Sequence, residues 1–319
     1  MTNAALTRLT RLARSRARSL AVRFGGLPHS VGTVDSPPAP VAADVTSLWR
    51  RNLTSKKPVV DAAHPEVVTM TTHGDRLRDV WLAIESIGRG AYLPGRIILW
   101  LDHEAGLPWR LRRLRKRGLE VKYVEAGWGV HTKYWPYVST QAITGPLITA
   151  DDDIIYPPNW LGDLSHAHRA HPDDVIAFRA HTVGMSTPSV FAPYTTWLPC
   201  LTTEPRYSNF ATSVSGQLIP PALQRHILGE GTAFTSAAPT ADDVWLHRCA
   251  VTFGFATRQV EETPLHWWFI PGSQVSGLNA QNVIGGANDR QMQASHTSQT
   301  RARLWNELRA GSQTNSMSA

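Results

Sequence analysis

The chain has 319 residues, enough to bury a full core, and its 42% hydrophobic and 18% charged residues are those of an ordinary globular protein. Two cysteines, Cys200 and Cys249, form no disulfide framework and show no metal-ligand spacing, which fits a reducing compartment. No apolar run approaches the roughly 18 residues of a membrane span, and the net charge of +7 is concentrated at one end: residues 1–60 hold ten Lys/Arg against Asp35 and Asp44, leaving the remainder near −1. A near-neutral body argues against nucleic acid as a partner, because such binders carry their basic patch on the folded domain.

Residues 1–24 contain six arginines and no acid, with Leu6, Leu9, Ala13, Ala17, Leu20 and Phe24 on one helical face. This pattern is that of an amphipathic segment drawn to an anionic membrane surface, and a disordered basic arm fits it equally. Residues 25–43 are rich in Pro, Ser and Val without periodicity and are predicted to be a linker, followed by a short helix near Val45–Arg51. The body is placed at 61–295, split near 160 into a nucleotide-binding half and an acceptor half, with a terminal helix and loose tail over 296–319.

The body is predicted to open on a strand, Val67–Thr71, with a polar loop Thr72–Arg76 and a helix over Leu77–Ile87, where Leu77, Val80, Trp81, Ile84 and Ile87 share a face. A second strand, Ile97–Leu101, ends at Asp102-His103. A basic helix over Leu107–Arg117 stops at Gly118, and Leu119–Val124 forms a third strand. Tyr134–Thr140 reads as a helix and Leu147–Ala150 as a fourth strand. Further strands are expected at Val175–Arg179 and Phe255–Val260, a helix from Asp242 through Cys249, and a helix at Thr300–Leu308. Strands alternating with helices specify an α/β fold with a mainly parallel sheet, whose ligands sit at the carboxyl ends of the strands.

The fourth strand stops in three carboxylates, Asp151, Asp152 and Asp153, before Ile154-Ile155-Tyr156 and Pro157-Pro158. Adjacent like charges repel and do not stay buried unpaired, so a cation at the strand end is expected. An all-oxygen ligand set selects a hard ion, Mg2+ or Mn2+, shared with a phosphate. A second pair, Asp242-Asp243, opens a helix. Alone it would read as a cap; with the acidic strand end upstream it becomes a candidate general base for an attacking hydroxyl. His166, His168 and His171 read as a solvated helix end rather than a metal cluster.

Four stretches resemble the nucleotide-sugar glycosyltransferases of the A-type fold, in particular family-2-like bacterial enzymes of surface-glycan synthesis: VVTMTTHGDRLRDVWLAIESI, HTKYWPYV, ITADDDIIYPPNWL, and SGQLIPPAL followed by PTADDVWLH. The opening departs from the family pattern in having Thr71-Thr72-His73-Gly74, and the acceptor loop in having Ser215-Gly216-Gln217. The resemblance implies a single domain of that fold and metal-dependent, inverting transfer of a hexosyl-type sugar from a nucleotide-diphosphate donor to a glycan or lipid-linked acceptor, in the cytoplasm or peripherally at the inner face of the membrane. With the residue chemistry it gives Asp243 as base with Asp242 as alternate, and Asp153 and Asp151 as metal ligands. Thr71, His73, Arg76, Asp102, Lys133 and Asp152 fall on the donor side, and Trp197, Ser215, Gly216, Gln217 and Trp245 on the acceptor side. Asn282, Asn288 and Asp289 are placed at the acceptor entrance. Two other readings remain open at this point: a nucleotidyl- or phosphotransferase using the same acidic strand end, and a non-catalytic membrane-surface binding protein on a transferase scaffold.

Overall fold

The computed structural model describes residues 41–104, 106–125, 127–273, 282–283 and 285–316. The basic segment 1–24 and most of the expected linker lie outside them. After helix α1 (Val41–Thr54), the first half alternates strand and helix: β1 (Val67–Thr71), α2 (Trp81–Gly88), β2 (Arg96–Leu101), α3 (Trp109–Arg115), β3 (Leu119–Tyr123), α4 (Trp135–Thr140), β4 (Leu147–Thr149), β5 (Ile154–Ile155) and α5 (Trp160–Ala170). The second half contains β6 (Val175–Ala177), β7 (Ala180–Thr182), β8 (Met185–Thr187), β9 (Val190–Phe191), β10 (Leu198–Pro199), β11 (Asn209–Ala211) and β12 (Gln217–Ile219). Then come α6 (Pro221–Gly229), α7 (Phe234–Ala237), α8 (Asp242–Phe253), β13 (Thr257–Gln259), β14 (Trp268–Phe269), α9 (Ala287–Ser295) and α10 (Ser298–Ser316).

Seven strands form the central sheet in the order β13-β6-β12-β4-β1-β2-β3. Only β12 runs against the others, between β4 and β6. The remaining strands are parallel, so the mainly parallel α/β sheet expected from the sequence is the fold. Side chains alternate across it. Val68, Met70, Ile97, Leu99 and Ile148 join the core that includes α2, α3 and α5, whereas Val67, Ile98, Trp100 and Leu147 join the core that includes α4, α6 and α8. Such two-sided burial gives the parallel strands their near-continuous apolar runs.

Several boundaries differ from the sequence expectation for local reasons. Gly74–Arg78 forms a 3-10 turn and the helix proper starts at Trp81. Pro108 is the N-cap of α3, so that helix begins two residues late. β10 pairs with β7 and β9 with β8, both antiparallel, outside the central sheet. Two elements set outside the body on sequence are part of it. Leu48 of α1 is fully buried in the first core. Leu304 of α10 is fully buried in the second, and Glu307 accepts the backbone N–H groups of Tyr207 and Ser208 at 3.0 and 2.7 Å. No helix among the described residues is long and apolar enough to cross a membrane.

Candidate active site

In the parallel strands β1 and β4 the register pairs Val67 with Leu147 and Thr69 with Thr149, so both chains leave the sheet on the same edge. Beyond that edge β1 continues into Thr72–Arg76 and β4 into Asp151-Asp152-Asp153. The acidic run is pinned on its far side because β5 pairs with β14 and the N–H of Ile270 donates to the carbonyl of Asp153. On its near side the backbone N–H of Asp151 donates to the Tyr156 hydroxyl at 2.7 Å.

Each carboxylate is held differently. Asp152 accepts from the Thr72 hydroxyl at 2.5 Å and from Arg76 Nη1 at 2.9 Å. The same Arg76 Nη1 lies 3.1 Å from Asp153 Oδ2, and Arg76 Nη2 donates to the carbonyl of Ser273. Burial works against the Arg76 charge, but Asp153, Asp152 and Asp151 outweigh it and raise its pKa. Asp151 accepts from Lys133 Nζ at 2.5 Å.

Lys133 joins the two halves of the chain. It ends the 3-10 turn Gly129–Lys133, fixed where its carbonyl accepts from the Thr69 hydroxyl at 2.8 Å and where His131 contacts the carbonyl of Ala238. Its ammonium lies 2.5 Å from Asp151 and 3.1 Å from Asp242 Oδ2. Burial opposes a charge there, yet Asp151, Asp242 and Asp243 together hold the ammonium well above the usual lysine range. The acid-tipped strand and the later aspartate pair therefore meet on one cation.

Asp242 and Asp243 occupy the first turn of α8, where the helix dipole favours negative charge. Asp243 accepts the N–H of Ser213 at 3.0 Å and also the Ser213 hydroxyl. It is half-buried. Burial, then the adjacent Asp242, pushes its pKa up to about 7, against the opposing pull of Lys133 and the Ser213 hydrogen bonds. A carboxyl group that changes protonation near neutrality suits proton transfer from a hydroxyl.

Arg179, two residues beyond β6, adds a third cation. It is buried, donates from Nη1 to the Thr212 hydroxyl at 2.9 Å, and makes no ion pair within 4 Å among the described residues. Its pKa is lowered by burial and supported by Tyr194 and Asp243. Thr212 adjoins Ser213, so the guanidinium stands one residue from the group that holds Asp243.

The structure brings Asp151, Asp152, Asp153, Arg76, Lys133, Asp242 and Asp243 into one network. Other expected site residues fall elsewhere. Thr71 turns back into the sheet and donates to the Trp100 carbonyl at 3.1 Å, since alternation sends Thr72, not Thr71, to the acids. His73 and Asp102 are exposed on the same sheet edge, outside the network's contacts. Trp197 and Trp245 are core residues, 2% and 1% exposed, with no ring face to offer an acceptor. Ser215 donates to the Leu265 carbonyl and its own carbonyl accepts from Trp160 Nε1. Gly216, at φ +98°, leaves room for the Trp160 ring, which an added Cβ would meet at 2.6 Å. Gln217 is buried in β12. These three support the loop, while Ser213 makes the contact to Asp243. Asn282 bonds Thr240, and Asp289 accepts the N–H of Tyr194 at 2.6 Å. Thr72, Ser213 and Arg179 are the site residues missed on sequence. The strand-end rule that selected Asp151 reaches Arg179 as well; no sequence signal distinguished Ser213.

Among the described residues no three His, Cys, Asp or Glu side chains converge to hold a metal by themselves. The donor set nevertheless fits a hard cation that completes its shell with phosphate oxygens, because such ions are commonly held by one or two protein carboxylates. Five aspartates face three cations, Arg76, Lys133 and Arg179, and the Asp151 side chain keeps 22% of its surface open.

No family model matches the chain, and no curated protein matches it. Loose likenesses exist among solved structures. A mannosyltransferase from Pyrobaculum calidifontis, solved with GDP-Man and Mn2+, is 13% identical over 82% of this chain and 77% of its own, with a TM-score of 0.45. Residues 1–349 of S. aureus TarS are 14% identical over 78% and 73%, with a TM-score of 0.45. A 4-diphosphocytidyl-2C-methyl-D-erythritol synthase from Anaerococcus prevotii is 14% identical over 72% and 98%, with a TM-score of 0.40.

Proposed function

We propose that the chain is a nucleotide-sugar glycosyltransferase of the A-type fold, transferring a sugar with inversion from a nucleoside-diphosphate donor to a hydroxyl of a cell-envelope or surface glycan, or of its lipid-linked precursor. The observation that carries this reading is the Lys133 bridge between Asp151 and Asp242. Through it the acidic strand end and the aspartate pair of α8 share one ammonium, which supports reading them as two parts of one site. Glycosyl transfer needs those two functions together: neutralisation of a departing diphosphate and removal of a proton from the incoming alcohol.

Asp243 is the proposed base. In its ionised form it accepts the acceptor hydroxyl's proton as that oxygen attacks the sugar's anomeric carbon. The bond from that carbon to the diphosphate oxygen breaks, and its electrons leave with the nucleoside diphosphate. Ser213 orients the Asp243 carboxylate through two hydrogen bonds. A base opposite the leaving group implies inversion. Lys133 and Arg76 flank the acids and supply positive charge toward the phosphates, Lys133 as a point charge. Asp153 and Asp151 would hold Mn2+ or Mg2+, which when bound stabilises charge on the leaving oxygen. Asp152, tied to Thr72 and Arg76, keeps the loop after β1 against the strand end.

Turnover of a panel of nucleotide sugars with Mn2+ tests the reading. Release of nucleoside diphosphate from one of them, abolished in Asp153→Ala together with metal-dependent nucleotide binding, is expected. Consumption of nucleoside triphosphates with no sugar donor turned over would replace it with nucleotidyl transfer. A folded protein indifferent to every nucleotide would overturn it.

A further inference from the structure

Helices α1 and α3 lie side by side on the face of the sheet that carries α2. Arg113 donates from Nε and Nη2 to the carbonyls of Asn52 and Leu53, and Asn52 Nδ2 lies 3.4 Å from the Arg110 carbonyl. The chain leaving α1 continues along α3, with Arg117 Nε donating to the Lys57 carbonyl at 2.7 Å. Not every arginine of the basic run faces outward. Arg113 caps the end of α1, and Arg117 is buried in an ion pair with Glu85.

What remains outside is distinctive. Arg50, Lys56, Lys57, Arg112, Arg115 and Lys116 are exposed. Between Val45 and Val60, and again between Gly106 and Leu119, there is no acid. Of the acids that flank these stretches, Asp44 and Glu120 are paired with Arg89 and Arg96, while Asp61 and Glu104 are exposed at the margins. Within this basic surface stand two of the few large exposed hydrophobic side chains, Trp49 at 45% and Trp109 at 44%. Arg110 stacks between Trp81 and Trp109, its guanidinium carbon 4.2 and 5.1 Å from the two ring centroids.

We propose that this α1–α3 face docks on an anionic lipid bilayer surface. Cations interspersed with tryptophan match the headgroup region, where the charge meets lipid phosphate and the amphipathic ring sits at the boundary with the acyl chains. Nucleic acid shares the phosphate chemistry but is less well matched. Base stacking needs an open aromatic face, and Arg110 already covers one face of Trp109. Position strengthens the lipid choice. The sequence that leads into α1 has six arginines and no acid up to Phe24, a composition that suits the same anionic surface. The proposal concerns attachment and does not depend on the reaction assigned to the cleft.

Co-sedimentation of the full chain with vesicles of phosphatidylcholine alone, and of phosphatidylcholine mixed with phosphatidylglycerol, tests it. Binding to the mixed vesicles only, weakened by salt, is expected. Each cation removed from an anionic surface costs about fivefold in partitioning. The triple variant Arg112→Gln, Arg115→Gln, Lys116→Gln should therefore bind roughly a hundredfold more weakly, and Trp49→Ala with Trp109→Ala should weaken binding without changing its salt dependence. The three basic side chains are exposed, so the triple variant should melt like the wild type; the tryptophan variant, which loses half-buried rings, should melt lower but remain folded at the assay temperature, and Arg112→Lys with Arg115→Lys should bind like the wild type. Wild-type protein that ignores mixed vesicles would overturn the proposal. So would triple and tryptophan variants that bind as tightly as wild type, which would locate attachment in the N-terminal arginines alone. Displacement from vesicles by duplex DNA, with the tryptophans irrelevant to both, would reassign the face to nucleic acid.

Discussion

Replacing Lys133 with methionine keeps the length of the side chain and removes the charge that joins the two halves of the site. At 2.5 and 3.1 Å from Asp151 and Asp242, the ammonium gains roughly 5–7 kcal/mol from each partner at an effective dielectric of 20. Most of this is offset by the desolvation of three charges. The net cost of deleting one partner of a buried ion pair is about 3–5 kcal/mol. The lower end applies here, because the Asp151 side chain is 22% exposed and can regain water, whereas Asp242 is 10% exposed and cannot. Lys133→Met should thus lose about 3 kcal/mol at pH 7.5 in urea unfolding.

The pH dependence gives a second readout. Lys133 stays charged across the acid and neutral range, since its pKa is raised. Asp243 has a folded pKa of about 7, above its unfolded value, so the native state binds the extra proton. Stability from this group is greatest below the unfolded pKa and falls as pH rises toward 7. Without Lys133 the Asp243 pKa climbs further and the fall continues to higher pH. The deficit of the variant should therefore be smaller at pH 5 than near pH 8, the difference coming from Asp243. A variant as stable as wild type at pH 7.5, or one whose deficit grows on acidification, would refute the bridge.

Asp243→Asn should lower transfer by about a hundred- to ten-thousand-fold in steady-state assays while leaving nucleotide binding intact. The rising limb of the wild-type pH–rate profile, centred near 7, should vanish with it. Thr72→Val removes a hydrogen bond to a carboxylate and should cost about 1.5–3 kcal/mol in denaturant unfolding, against about 1 kcal/mol for Thr71→Val, whose partner is a neutral carbonyl. Gly216→Ala combines a positive φ with a Cβ 2.6 Å from the Trp160 ring and should destabilise by roughly 2–4 kcal/mol, visible as a lower thermal midpoint.

The sheet was legible because its signal is local. Apolar runs such as Val67–Met70 and Ile97–Leu101 are buried on both faces, and each ends abruptly in polar residues. The strand ends then located Asp151 to Asp153, and Lys133 came from the resemblance carried by HTKYWPYV. What escaped depends on long-range packing. A one-residue alternation decided between Thr71 and Thr72. Trp197 and Trp245 carry the composition of a sugar platform but face the second core, a distinction only tertiary structure makes. Ser213, rather than Ser215, meets Asp243 because Gly216 turns the chain under Trp160. The exposed face of α3 could not be separated from its buried arginines, since Arg113 and Arg117 find partners in α1 and α2 that lie far away in sequence.

A crystal soaked with uridine and guanosine diphosphates plus Mn2+ tests the single-cleft claim most directly. The account predicts one nucleotide with its diphosphate at the Asp151–Asp153 strand end, beside Lys133 and facing Asp243. A diphosphate bound away from that strand end, with Asp243 on the opposite side of the ordered ligand from any reachable hydroxyl, would contradict it.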